Sequence, residues 1–316
     1  MKPTQTVVLA EVVRSGLVES RHHGSRVAVD TAGAVGLNDG HIDAPMYPRS
    51  ANKPAQAVAM VRLGLPLEGE LLALATASHS GEDFHRAGVL DILAKAGLDE
   101  SALQNTPGWP LDAEAMVAMA QAGQHESALA ADCSGKHAAM LLTCVAQGWS
   151  TADYLSPAHP LQVAIRATVA ELAGEPVAHI GVDGCGAPLF ALTLTGLART
   201  YRAMATAPAD SPERRVVDAI RTHPEYVSGT TRDETKLIRA VPGLFCKGGA
   251  EAVLAAGLPD GQAVAVKIDD GGSRAHMVAL VAALERLGVD TPGLRELATV
   301  PVHGGGVEVG AVRPAR

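Results

Sequence analysis

Strand-forming segments gather at the two ends of this chain, and helix-forming segments fill its middle. That distribution constrains the fold most, because strands far apart in sequence must meet to bury their apolar faces. Val7–Val13 is rich in β-branched residues, and Leu17–Ser20 and Arg26–Asp30 flank His22-His23-Gly24 as the two arms of an expected hairpin. Ala263–Ile268 reads as a strand near the other end, and the apolar run Leu71–Thr76 as one further strand. Helices are expected over 55–65, 83–96, 113–122, 134–147, 161–172, 189–204, 211–221 and 274–287, with Gly148 placed as a stop. The βαβα alternation of a doubly wound parallel sheet is weak. The pattern therefore predicts an α+β fold: a mostly antiparallel sheet built from both termini, flanking helices and a helical lobe. With no repeats or linker, residues 1–316 are expected to form one domain, its sheet lobe about 1–50 and 244–316 and its mainly helical lobe about 51–243.

Composition narrows the function. A net charge of −8 with only 3% aromatic residues disfavours a nucleic-acid binder, which needs basic surface and rings for stacking. No uninterrupted apolar stretch is long enough to span a bilayer, and Met1–Thr6 runs into the first strand without a signal-type apolar region. Four cysteines, Cys133, Cys144, Cys185 and Cys246, are too few for a disulfide scaffold. The expectation is a soluble cytoplasmic protein acting on a small molecule.

Three short motifs carry chemistry. Ser50 and Lys53, in Pro48-Arg49-Ser50-Ala51-Asn52-Lys53-Pro54, lie three residues apart at an expected helix start and so share a face. A serine is a weak nucleophile until a base takes its proton, and a buried lysine can be that base once neutral. Ser-x-x-Lys enzymes add a second hydroxyl and a Lys-Thr-Gly-like strand; Ser78 in Ser78-His79-Ser80 and Lys247-Gly248-Gly249 fit those parts. Each motif alone has a plain reading as cap, loop or turn, with Ser80 and Asp83 as a capping box; the three in this order point to acyl transfer. Cys133 and Cys185 sit at glycine-containing loops read as loop-to-helix junctions, where thiols are acidified. Spacing leaves open whether they hold a metal or are buried inert thiols. Cys144 reads as core.

The segments Arg49–Pro54, Ala77–Ser80, Cys133–His137, Asp183–Cys185 and Lys267–Gly271, with Val18–His22 near the start, resemble in content and order the rhizobial-type L-asparaginases, the asparaginase II or third-class family. The resemblance spans about residue 12 to beyond 285. It implies a fold similar to serine β-lactamases and Ser-x-x-Lys glutaminases, and hydrolysis of the side-chain amide of L-asparagine. It implies two Ser-Lys tandems, Ser50 with Lys53 and Ser78 with Lys247. It implies zinc held by Cys133, Cys185 and a neutral Lys136, with Arg49, His137 and Asp183 near the substrate, and it suggests a homodimer. A further active-site cysteine known in some members has no counterpart here: Asp233 falls near that position, and Cys246 is left without a role. The alternatives are a Ser-x-x-Lys hydrolase of glutamine or a β-lactam, and a non-catalytic zinc or amino-acid binding protein.

Overall fold

A computed structural model of the chain describes residues 6–315; Met1–Gln5, part of the stretch read as lacking a signal-type region, and Arg316 lie outside them. The strands are β1 (Val7–Arg14), β2 (Leu17–Val29), β3 (Val35–Asp39), β4 (Pro45–Met46), β5 (His179–Val182), β6 (Pro188–Thr193), β7 (Phe245–Gly249), β8 (Val253–Gly257), β9 (Ala263–Ile268), β10 (Val300–Gly304) and β11 (Val307–Pro314). The helices before β5 are α1 (Lys53–Arg62), α2 (Gly69–Ala75), α3 (Asp83–Lys95), α4 (Ala113–Gln121), α5 (Ser134–Gln147) and α6 (Pro160–Ala173). After β6 come α7 (Leu194–Ala205), α8 (Pro212–Thr222), α9 (Pro224–Val227) and α10 (Asp233–Ala240); α11 (His276–Arg286) and α12 (Pro292–Glu296) follow β9.

Among the described residues, eight strands form one antiparallel sheet in the order β10-β11-β1-β2-β9-β8-β7, with β3 also on β2. The fold is α+β. The long β2 makes this possible, pairing β1 through residues 17–24 and β3 through 26–29 on one side, and β9 on the other. β9 is buried almost throughout because both α7 and α11 pack on it. A second sheet, β4-β6-β5, lies apart from the first.

Four local readings are corrected. His22-His23-Gly24 is not a turn but the middle of β2. The hairpin turn is Ser15-Gly16, whose φ values of 48° and 87° suit a two-residue loop between paired Arg14 and Leu17. Gly24 is required by close approach, since a Cβ there would collide with the Lys267 carbonyl of β9. The run Leu71–Thr76 is helix α2, with Leu72 to Ala75 all buried; a short apolar run surrounded by protein carries no periodicity to tell helix from strand. The expected 189–204 helix is split, with β6 taking its first part and α7 starting at Leu194, where Thr193 caps it through Gly196 N–H. The capping box is also absent: Ser80 Oγ donates instead to the Ser228 carbonyl at 2.7 Å.

Candidate active site

The segment Pro48–Pro54 forms a 3-10 turn, Arg49–Asn52, that runs into α1, with Pro54 in the first helical turn where its missing N–H costs nothing. Ser50 and Lys53 thus keep a shared face, since i and i+3 eclipse in a 3-10 turn. Arg49, just before the serine, has φ +50°, a conformation that costs a non-glycine residue about 1–3 kcal/mol. The turn is clamped from two sides. Tyr201 of α7 donates its hydroxyl to the Ala51 carbonyl (2.8 Å) and stacks on Phe245 of β7, ring centroids 5.0 Å apart. Gly249, at the end of β7, lies so close that a Cβ would sit 2.7 Å from Pro48 O and 3.0 Å from Ser50 N. These are backbone atoms that cannot swing away, so Gly249→Ala is expected to destabilise the protein by about 1–3 kcal/mol. It should also depress turnover by displacing Ser50. Chemical denaturation with an ammonia-release assay checks this, and an unchanged midpoint with unchanged activity would refute the packing argument.

Beneath the turn, buried polar groups converge. The Lys53 ammonium, 2% exposed, donates to Ser78 Oγ (2.9 Å) and the Ala77 carbonyl (2.6 Å), and lies 3.8 Å from Asp132. Ser50 Oγ has no hydrogen-bond partner among the described residues, so Lys53 is bonded to the serine expected to partner Lys247. Lys247 is fully buried and donates to the Gly248 carbonyl (2.7 Å). Burial, reinforced by the Lys53 ammonium, lowers its pKa from 10.5 to about 7 against the opposing pull of Glu234 and Asp132. His79 accepts the Gly81 N–H at Nδ1 (3.1 Å) and so donates from Nε2 to Ser134 Oγ (2.9 Å). Burial holds it neutral, as a brace rather than a base.

A second cluster adjoins the first. Cys133 caps α5, but Cys185 lies in the tight β5–β6 turn, closed by Asp183 N–H to the Ala187 carbonyl (2.9 Å), and not at a helix start. The ligand atoms of Cys133, Cys185 and His137 lie within 4.8 Å of one another, and Lys136 Nζ is 3.2 Å from Cys185 Sγ. The mutual hydrogen bond of the two thiols divides them, Cys133 pushed up and Cys185 held down as the thiolate, with Lys136 adding to the latter. Burial alone would lower Lys136, but Cys185, Cys133 and Asp183 outweigh it and keep it charged. His137 Nδ1 meets the Tyr154 hydroxyl at 2.8 Å, while its Nε2 is buried with no hydrogen-bond partner among the described residues. Two sulfurs and an imidazole nitrogen within this span, with the Lys136 amine beside Cys185, form a donor set that suits zinc. Asp183 joins the clusters: it accepts from Arg49 Nε (2.8 Å) and precedes Cys185 by two residues, while Asp132 immediately precedes Cys133.

The structure thus groups Ser50, Lys53, Ser78 and Lys247 on one side and Cys133, Lys136, His137 and Cys185 on the other, with Arg49 and Asp183 between. Cys246 belongs to neither, since it is fully buried and its thiol reaches only the Glu234 carbonyl (3.7 Å). Asp233 is exposed at the start of α10 and pairs with Lys236 (3.0 Å). Sequence reasoning missed Asp132, Tyr154 and Glu234. Asp132 could have been found by its place beside Cys133; Tyr154 and Glu234 carry no local signal.

The family model described as L-asparaginase II matches residues 10–314. No curated protein matches the sequence. Similar solved structures include Mglu in its tris and glutamate form, at 16% identity and a TM-score of 0.38 over 89% of this chain; the chain spans 64% of that protein's length. A β-lactamase from Mycobacterium bovis is similar at 14% identity and a TM-score of 0.47, covering 84% of this chain and 95% of that one. The hydrolase EstCE1, described as having promiscuous acyltransferase activity, is similar at 12% identity and a TM-score of 0.40, covering 94% of both chains.

Proposed function

We propose, for a chain that belongs to the L-asparaginase II family and is an amide hydrolase of α+β fold, that its substrate is L-asparagine, converted to L-aspartate and ammonia. The observation that carries the reading is the buried convergence of Lys53, Ser78 and Lys247 below Ser50, with Lys53 Nζ 2.9 Å from Ser78 Oγ. Ser50 Oγ attacks the side-chain amide carbon, and its proton passes to a neutral lysine of this group. The tetrahedral intermediate collapses with cleavage of the C–N bond, and the proton relayed through Ser78 leaves on the nitrogen as ammonia. Water then attacks the Ser50 ester, giving up its proton to the same group, and L-aspartate departs with Ser50 restored. The oxyanion would be met by backbone N–H groups where the 3-10 turn faces Gly249.

Cys133, Cys185 and Lys136 would hold a zinc ion, with His137 Nε2 in reach. Bound there, it would supply a fixed positive charge beside the substrate site. The deciding experiment is ammonia release measured across L-asparagine, L-glutamine and small amides. Turnover of glutamine or a β-lactam with none of asparagine would defeat the reading.

The lysines set the pH dependence. Lys247 has a folded pKa of about 7 against an ordinary 10.5, so it loses its proton, and becomes able to act as a base, as pH rises through about 7. kcat/KM for L-asparagine should rise through that region and level off in mildly alkaline solution. Between those two values the unfolded chain binds more protons at this site than the folded one. This group's contribution to stability therefore increases with pH over the same window, and is least favourable below about pH 7. A rate flat from pH 6 to 9, roughly the span of such a titration, would exclude a titrating lysine.

A further inference from the structure

A cavity of about 340 Å³ opens beside the Ser50 turn, lined by Tyr47, Arg49, Val182, Leu189, Glu251 and Lys267. Its charged lining is two cations and one carboxylate, Glu251. Four non-glycine residues among those described have left-handed φ; two of them, Arg49 at 50° and Glu251 at 60°, line this cavity, and a third, Ala252 at 52°, follows Glu251 in the chain. Glu251 and Ala252 lie in the loop joining Gly249 to Val253, the β7–β8 hairpin. Glycine or asparagine would fit that loop with less strain, so the residues present are held there for something other than turn formation. Stability is not it: the Glu251 side chain is 61% exposed, and its Oε1 is 4.0 Å from Arg49 Nη1, a surface pair of small value.

The backbone that carries this carboxylate is nevertheless anchored. Lys267 Nζ donates to the Glu251 carbonyl at 2.7 Å, and Gly271 leaves the space Oε2 occupies, since a Cβ there would collide with it. The same hairpin carries Gly249, packed on Ser50 N, so Glu251 stands two residues beyond the backbone that touches the nucleophile.

We infer that Glu251 is a substrate-binding residue that holds the α-ammonium of an amino-acid amide, while Arg49 and Lys267 face its α-carboxylate. The inference rests on the asparagine reading above and adds what selects the substrate. A zwitterion placed this way presents its side-chain amide toward Ser50, whereas an amide lacking the ammonium forgoes the contact with Glu251.

The test compares L-asparagine with succinamic acid, which lacks the amine, in the parent, Glu251→Gln and Glu251→Gly. The parent should prefer asparagine by about 100-fold or more in kcat/KM. Both variants should lose most of that preference by falling on asparagine while staying within about threefold on succinamic acid. Glu251→Gly separates charge from strain, because it relieves the left-handed backbone yet should not restore asparagine. An equal fall on both substrates, or a preference that survives both substitutions, overturns the inference while leaving the asparaginase reading in place. Absence of ammonia release from asparagine by the parent defeats that reading, and the inference with it.

Discussion

Replacing Ser50 with alanine is expected to cut ammonia release from L-asparagine by on the order of 10⁴-fold while leaving the folded state nearly as stable as the parent. Both halves follow from the environment of the hydroxyl. Ser50 is only partly buried and its Oγ has no hydrogen-bond partner among the described residues, so its removal orphans none of their buried groups. The effect should therefore appear in turnover alone. Ser78→Ala behaves differently, because Ser78 Oγ accepts from the Lys53 ammonium, 2% exposed, and that donor would be left short of one partner. That variant is expected to lose both activity and about 1–2 kcal/mol of stability. Thermal unfolding and steady-state kinetics on the two variants check the contrast. Near-parental turnover by a folded Ser50→Ala protein would remove Ser50 from the chemistry.

The second large effect concerns the metal. Protein purified without added metal is expected to carry close to one zinc per chain by elemental analysis, and Cys133→Ser or Cys185→Ser should lose nearly all of it. Each cysteine supplies one of two thiolates, and substituting either should weaken binding by at least about 100-fold. Affinity should fall as pH falls, because thiolate and lysine ligands must shed protons before they bind. Against the pull of burial, the adjacent Cys185 thiolate holds Lys136 as a cation, so a zinc ion would have to displace a proton stabilised there. Lys136→Met and His137→Phe, measured beside the cysteine variants, report which nitrogen completes the set. Unchanged zinc in both cysteine variants, or none in the parent after zinc is supplied at pH 8, overturns the assignment.

The reach of the sequence is clear at particular residues. Strand signals at both ends with helices between them implied one antiparallel sheet of distant segments, because unpaired strands cannot satisfy their backbone groups alone. The short motifs around Ser50, Ser78 and Lys247 stood out because their chemistry needs a few residue types in a fixed order, whereas Cys133 and Asp183 were assigned roles only by the family resemblance. Local signals failed where burial was complete: Leu71–Thr76 is apolar on every side and gave no period, and Pro188–Thr193 became strand only because β4 and β5 flank it. Which hydroxyl Lys53 meets, whether Lys247 is neutral near pH 7, and the meeting of Cys133 with Cys185 across 52 positions were decided by tertiary structure alone. Hydrogen bonding and desolvation depend on what surrounds a group in space, and those neighbours, such as Asp132 for Lys53 and Cys185 for Lys136, come from segments that the chain order does not place beside them.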